Sequence, residues 1–420
     1  MAPDPLTSAL DSQAVMLSGS LAATGHAPDS VALHHEVRVI EDLAAFRALR
    51  HEWDNFAAAV RDASFSLAYP YCELAVELAL ARGAQVAVAM VHERRELRAL
   101  WPVAIARRGL LRIARPLGCG SDEEYGAPLV HALAGSAVMG AILQAVTGLR
   151  ADVLEIRFVR TDSALQEALA SCRHSWMLPF VPQRLHHLPG YAIRLREFER
   201  WDDFAATLSK SLRAELRGHL RRLNAKGQAE FGWCKSADDA EAVLNWLFAT
   251  KRQWAISRGV TTKYLLNDKV RDFFIALARR IDLATTPLVT YVKLDGKPVA
   301  ASVNLVSPRV FEGFVLTYDE AFSECSPGTL LQEFCVKWSH ENGREFDFRP
   351  LFSAYKARWA THQTVHDTHT LFLSARGRFM ECALLTAYAA HAVHGVKKVI
   401  AKRIKAIWRK KNRSAPGHAR

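Results

Sequence analysis

Two stretches of the sequence carry groups arranged for chemistry. The first is Cys325-Ser-Pro-Gly-Thr-Leu-Leu331, where a short loop opens a helix directly after a strand. Pro327 suits a helix start because its missing N–H has no intrahelical partner there, and Gly328 allows close backbone approach. The N–H groups of Gly328, Thr329 and Leu330, in the loop led by Ser326, together with the helix dipole, predict an anion site suited to a pyrophosphate. The same residues also read as an ordinary helix entry. The second stretch is Gly118-Cys-Gly-Ser-Asp-Glu-Glu-Tyr-Gly126, a loop with three acids, a tyrosine and three glycines. Asp122, Glu123, Glu124 or Tyr125 faces a cleft between two lobes, or the loop is simply a solvated acidic surface.

Other clusters admit two readings each. In residues 209–227, Lys210, Arg213, Arg217, Arg221, Arg222 and Lys226 recur at helical steps opposite Leu212, Leu216, Leu220 and Leu223. That face meets an anionic partner or is solvated. Trp246, Phe248 and Trp254 interleave with Lys251, Arg252 and Arg258 on a helix over 239–257, a pattern of core packing or of a binding platform. His366 and His369 lie three apart in an expected strand over 364–373, a poor spacing for a shared metal with His362, so no metal site is expected. Cys325 has no adjacent base and ranks low as a nucleophile.

The elements that must hold these residues follow from periodicity. Leu288–Leu294 alternates as a half-buried strand, Asp295-Gly296 is a two-residue hairpin turn, and returning strands follow over 298–306 and 310–318. A helix from the Ser-Pro-Gly-Thr loop ends at Asn342-Gly343, and a strand over 345–349 precedes Tyr355-Lys-Ala-Arg-Trp359. Earlier in the chain, a strand at 37–40 leads into helices over 42–59 and 71–82. Strands at 85–91, 97–107 and 110–117 follow, then a helix over 133–149 and a strand over 152–159. Residues 179–190 read as a linker, 191–195 as a strand, and 201–207 and 267–282 as packing helices. The first half repeats the second but lacks a Ser-Pro-Gly-Thr counterpart, so it reads as a lobe that no longer binds a cofactor.

At 420 residues, 50% hydrophobic and 23% charged, the chain is globular and of two-domain length. Seven cysteines without a C-x-x-C pair argue against a disulfide framework and for a reducing, cytoplasmic setting. No apolar run is long enough to span a bilayer. The formal charge is +12, and residues 376–420 hold twelve Lys/Arg against the single acid Glu381, leaving the body near neutral. Val396, Val399, Ile400, Ile404, Ile407 and Trp408 form one stripe of a helix whose other faces are basic. Residues 396–411 are thereby expected to lie on an anionic membrane surface at the inner face, or to contact a nucleic acid or partner. Residues 1–35 read as an arm, without the basic and apolar regions of a signal peptide.

The ordered set of strand–Asp-Gly–strand, Leu316-Thr-Tyr-Asp319, Ser326–Leu331, Phe346-Asp-Phe348 and Tyr355–Trp359 resembles the GNAT-superfamily acyltransferases of the CelD-like type, with the Fem-type transferases as relatives. Trp53, Phe65, the basic segment 209–227, Lys251-Arg-Gln-Trp254, Arg258-Gly259 and Phe273-Phe274 extend the likeness over about 36–375. The resemblance implies an α+β (mixed α/β) fold of tandem GNAT-like lobes, each a mostly antiparallel sheet flanked by helices. Lobes over 36–185 and 186–375 precede a basic C-terminal helix over 376–420. It implies acyl transfer from acetyl-CoA to an amine or hydroxyl of a small or glycan acceptor linked to envelope polysaccharide. The thioester carbonyl would meet backbone near Leu316, and the pyrophosphate would meet Gly328–Leu330. Asp347 and Asp319 are then base candidates, Tyr318 or Tyr355 the acid for the thiolate, and Lys356 or Arg358 a partner of phosphate or carbonyl. Trp254, Arg258 and Tyr125 would face the acceptor. Where the family carries an acid, this chain has Arg349-Pro-Leu-Phe-Ser-Ala354. The alternatives are an aminoacyl-tRNA-dependent transferase of Fem type and an inactive scaffold.

Overall fold

Alternating and continuous apolar runs become thirteen strands among the described residues, all joined in one sheet. The computed structural model of the chain describes residues 33–60, 63–171, 186–260 and 262–379. Of the expected arm over 1–35, residues 1–32 lie outside them while 33–35 are already strand; residues 179–185 of the linker and 380–420 of the expected helix over 376–420 also lie outside.

The first half runs β1 (Leu33–Ile40), α1 (Leu43–Arg47), α2 (Arg50–Ala59), α3 (Tyr69–Ala81), β2 (Gln85–Glu93), β3 (Glu96–Arg108), β4 (Leu111–Pro116), β5 (Leu129–Val130), α4 (Ser136–Thr147), β6 (Val153–Arg160) and α5 (Ala164–Ser171). The second half begins with β7 (Leu188–Ile193), α6 (Trp201–Thr207), α7 (Lys210–Asn224), β8 (Ala229–Trp233), α8 (Ala237–Ser257) and α9 (Lys269–Ala278). It continues with β9 (Val289–Leu294), β10 (Lys297–Val306), β11 (Val310–Tyr318), α10 (Pro327–Glu341), β12 (Glu345–Pro350), α11 (Ala354–Trp359) and β13 (His362–Phe372).

One unit occurs twice. β2, β3 and β4 are antiparallel neighbours, α4 crosses over, and β6 returns parallel to β4. In the second half β9, β10 and β11 are antiparallel, α10 crosses, and β12 returns parallel to β11. Asp295 and Gly296 take φ of 49° and 78°, the two positive values that a primed hairpin turn requires. The class is mixed α/β, as expected, but the two units do not keep separate sheets. β13 pairs with β6 on one side and β7 on the other, and β7 pairs with β12, so one sheet runs through both halves.

The expected helix over 42–59 is two helices. Asp42 caps the first, its Oδ1 accepting from the Ala45 N–H at 2.8 Å, and a turn at Ala48-Leu49 ends it. The break turns Leu49 into the core beside Phe46, Trp53 and Phe56. That core crosses the halves. Tyr71 of α3 meets Phe273 of α9 at 4.8 Å between ring centroids, and Phe274 packs on Phe314 of β11 at 5.2 Å. Tyr71, Phe273 and Phe274 are fully buried and contribute about 1.5–3 kcal/mol each, and the contact with partly buried Phe314 ties the first-half helices to the strand that borders the site.

Candidate functional site

β11 and β12 are paired over three rungs, Val310–Glu345, Phe311–Phe346 and Glu312–Asp347. Beyond them, among the described residues, no strand pairs with that edge of β11. Arg349 and Leu351 adopt left-handed backbone, with φ of 64° and 83°, and the register against β7 shifts between Asp347 and Pro350. β12 therefore leaves β11 and a slot opens. The cavity is about 290 Å³, walled by Gly313–Leu316, Phe348–Leu351, Lys251 and Trp254 of α8, and Tyr355 and Lys356 of α11. Burial lowers both lysines, Lys251 and Lys356, to about 8. Lys356 Nζ donates to the carbonyls of Arg349 and Pro350 at 3.2 and 3.1 Å, which steadies the departing end of β12.

At the foot of the slot lies a buried charge cluster. Arg349 Nη1 donates to Glu312 Oε2 at 2.5 Å, and Nη2 donates to the Glu123 carbonyl. The guanidinium covers the rings of Tyr125 and Phe314 at 4.8 and 5.2 Å. The Tyr125 hydroxyl donates to Asp347 Oδ2 at 2.7 Å, and the Arg349 N–H donates to Asp347 Oδ1 at 2.6 Å. Burial pushes the Glu312 carboxyl up to about 7 despite Arg349, and Asp347 adds to the rise. Glu124 is held differently. Burial drives its carboxyl up, but donors overcome this and hold it low: the Cys119 N–H at 2.6 Å, Tyr71 at 2.8 Å and Ser121 at 3.0 Å. It is a fixed structural anion that shapes the loop.

Phe346 walls a second cavity too, of about 610 Å³, into which Tyr125, Glu312, Glu345, Asp347 and His366 face. Glu123 and Arg349 border the slot, while Tyr125, Glu312 and Asp347 border the larger cavity. His366 stacks on Tyr125 at 5.6 Å, and burial lowers its pKa to about 4, leaving a neutral imidazole at pH 7. Two carboxylates, one with a pKa near neutrality, thus border the acid-lined chamber, and Arg349, bonded to both, borders the apolar, cation-edged slot. That arrangement suits proton removal from a group in the chamber.

The sequence-derived residues divide accordingly. Asp347 and Tyr125, assigned from opposite halves, are hydrogen-bonded partners, and Leu316, Lys356, Tyr355 and Trp254 all wall the slot. Arg258 covers Trp254 at 5.5 Å and reaches Glu320 at 3.4 Å, outside the slot wall. Arg358 pairs with Glu215 on the surface at 2.8 Å. Asp319 does not face the slot; its Oδ1 accepts from the Ala321 N–H at 3.0 Å and caps the turn 320–325. Tyr318 also lies outside the slot wall, where it and Leu316 pack over Gly328.

The helix entry is corrected in one respect. Ser326 takes a left-handed conformation, and its carbonyl accepts from the N–H groups of Thr329 at 2.9 Å and Leu330 at 3.3 Å. Two of the three N–H groups expected to be free are therefore claimed by a tightened first turn, and Gly328 is buried. Glu312 and Arg349 were missed as site residues. Their signals were a lone acid inside the apolar strand Val-Phe-Glu-Gly-Phe-Val, and a basic residue where the resembling family carries an acid.

Comparison with known proteins adds the following. Residues 210–357 match a family model described as an acetyltransferase (GNAT) domain, about a third of the chain. No curated protein matches the chain. Among solved structures, FemX is 11% identical with a TM-score of 0.47, covering 76% of this chain and 95% of that one. A conserved protein of unknown function from Bacteroides thetaiotaomicron is 16% identical with a TM-score of 0.46, over 76% and 97%. A tandem GNAT protein from the clavulanic acid biosynthesis pathway is 12% identical with a TM-score of 0.39, over 81% and 99%. Likeness at this level says nothing of activity.

Proposed function

We propose that the protein transfers an acyl group, acetyl in the first instance, from an acyl-CoA held in the slot to an amine in the acid-lined chamber. The observation that carries this reading is the opening of β11 from β12 directly above the buried Glu312–Arg349–Asp347–Tyr125 cluster. The matched GNAT domain spans the same elements.

The residues fit the donor in kind. The unpaired edge of β11 around Leu316 offers backbone groups to a pantetheine-like arm, and Lys251 and Lys356 supply positive charge at the slot. When bound, acyl-CoA supplies an electrophilic thioester carbonyl and a thiol leaving group. Glu312, near pH 7, accepts the proton of the acceptor amine. Asp347, fixed by Tyr125 and the Arg349 N–H, adds the negative charge that attracts an ammonium. Lys356, near 8, holds a proton within reach of the thiol range of about 8.5 and can release it to the slot. Tyr355 at the mouth is the other acid candidate. A small or glycan-linked acceptor, the CelD-like subtype and a role in envelope polysaccharide chemistry are the finer parts of the proposal, supported by the ordered motif set. A cytoplasmic site at the membrane face rests on the apolar stripe and basic faces of 396–411.

Isothermal titration of acetyl-CoA into the full chain tests the donor, beside Leu316→Trp, which fills the slot. Micromolar binding lost in a folded Leu316→Trp supports it. No binding to the folded wild type refutes it. A thiol-release assay across amine acceptors should then fall by roughly 10²–10⁴-fold in Glu312→Gln, the range of a lost general base. One observation favours a second reading: α7 exposes Lys210, Arg217 and Arg221, whose side chains have no partner among the described residues. An aminoacyl-tRNA donor would use them, and its binding would weaken steeply with salt. A scaffold would bind neither donor.

A further inference from the structure

The first half contains the same opening as the second. β4 and β6 pair in parallel for two rungs, Ile113–Val153 and Ala114–Leu154, and then separate. A cavity of about 410 Å³ occupies the gap, within the size range of small-molecule sites. Its floor is built of small apolar groups, among them Ala75, Ala79, Ala104 and Ile113. Five arginines surround it: Arg82, Arg107, Arg108, Arg115 and Arg157.

The charges around this cavity do not cancel. Arg115 pairs with Glu155 at 2.6 Å and with Asp122 at 3.5 Å, and Arg157 approaches Asp122 at 3.8 Å. Glu124 is consumed by Tyr71, Cys119 and Ser121. Among the described residues, the side chains of Arg82, Arg107 and Arg108 have no hydrogen-bond or ion-pair partner. Three unpaired guanidinium groups around one cavity form a match for phosphate oxygens, which arginine binds through paired N–H groups.

We infer that this cavity binds a phosphate-bearing small molecule of nucleotide size, its apolar body on the alanine floor and its phosphates on Arg82, Arg107 and Arg108. The absent Ser-Pro-Gly-Thr loop does not argue against an anion site here, because guanidinium groups take the part that a helix entry would play. The inference stands independently of the acyl-CoA reading.

The site is also wired to the cluster in the second half. The loop 118–126 sends Asp122 and Glu124 to this cavity, Glu123 to the slot and Tyr125 to the chamber. A ligand that takes Arg115 or Arg157 from Asp122 loosens the same loop that holds Tyr125 against Asp347.

The test is calorimetric titration of ADP, with adenosine as the uncharged control, into the full chain and two variants. Arg82→Glu/Arg107→Glu/Arg108→Glu changes exposed side chains, and circular dichroism checks its fold; Leu316→Trp closes the other slot. The expected result is ADP binding that weakens at least tenfold in the triple variant, persists in Leu316→Trp, and has no adenosine counterpart. The single Arg→Gln variants should each weaken it two- to threefold, which keeps the test open if the triple variant misfolds. Unchanged binding in the arginine variants, loss in Leu316→Trp, or no ADP binding at millimolar concentration would each overturn the inference.

Discussion

Arg349→Met probes the centre of the site. In the wild type, Arg349 is the only cation bonded to Glu312 among the described residues, and both side chains are almost fully buried. Removing one partner of a buried pair costs about 3–5 kcal/mol, because the remaining charge is stranded. Glu312→Gln is milder, about 1–3 kcal/mol, because Arg349 keeps the Glu123 carbonyl and the rings of Tyr125 and Phe314. The double variant strands no carboxylate, so a coupling energy of about 1–3 kcal/mol is expected. Urea denaturation with unchanged m-values measures it. The sign of the pH effect follows from Glu312 titrating near 7. At pH 8 the carboxylate is charged and the Arg349→Met penalty is largest; at pH 5.5 it carries a proton and the penalty shrinks. Additivity within about 0.5 kcal/mol at pH 8, or a penalty independent of pH, would refute the reasoning.

Four other outcomes are expected. The pH profile of kcat/KM should rise through about 7 and fall above about 8 as Glu312 and then Lys356 lose protons, and Glu312→Gln should remove the acid limb. Because burial raises the Glu312 carboxyl above its ordinary 4.5, its contribution to stability is full below that pH and declines toward 7, and Glu312→Gln flattens this component in thermal melts. Gly126→Ala should destabilise by about 1–3 kcal/mol, since a Cβ there would stand 2.7 Å from the Arg157 carbonyl oxygen and 2.8 Å from its nitrogen, backbone atoms that cannot step aside; a melt within 1 °C of wild type would contradict it. Deleting 380–420 should abolish sedimentation with anionic liposomes while leaving acetyl-CoA binding unchanged; retained sedimentation would rule out the tail as the membrane contact.

Local signals carried much of the second half. Asp295-Gly296, the alternation of 288–294 and the Asn342-Gly343 stop need only neighbouring residues, and they led to β9, β10 and α10 within two residues or so of their observed ends. Asp347 and Tyr355, which border the larger cavity and the slot, sit inside a dense motif. What could not be read was set by long-range pairing. β13 looks like any strand in sequence, and only its neighbours reveal that it joins the two halves. The Glu312–Arg349 pair spans two strands that touch for three rungs, so neither residue announces the other. The helix entry at Ser326 was recognisable, but its left-handed backbone, which turns the N–H groups of Thr329 and Leu330 inward, is a tertiary outcome. The split at Ala48-Leu49 interrupts a pattern whose apolar residues keep helical spacing across the break.

The position of β13 has a consequence for how the chain reaches its native state during synthesis. β6 ends at Arg160, yet its partner on one edge is the strand His362–Phe372. At translation speeds of about 5–20 residues per second, that edge waits roughly 10–40 s for its mate. During this interval the first unit carries an open row of backbone donors and acceptors, the kind of edge that recruits other chains. Nascent protein halted before residue 362 is therefore the aggregation-prone species, and holding chaperones would engage it up to the moment the last described strand emerges and covers the β6 edge.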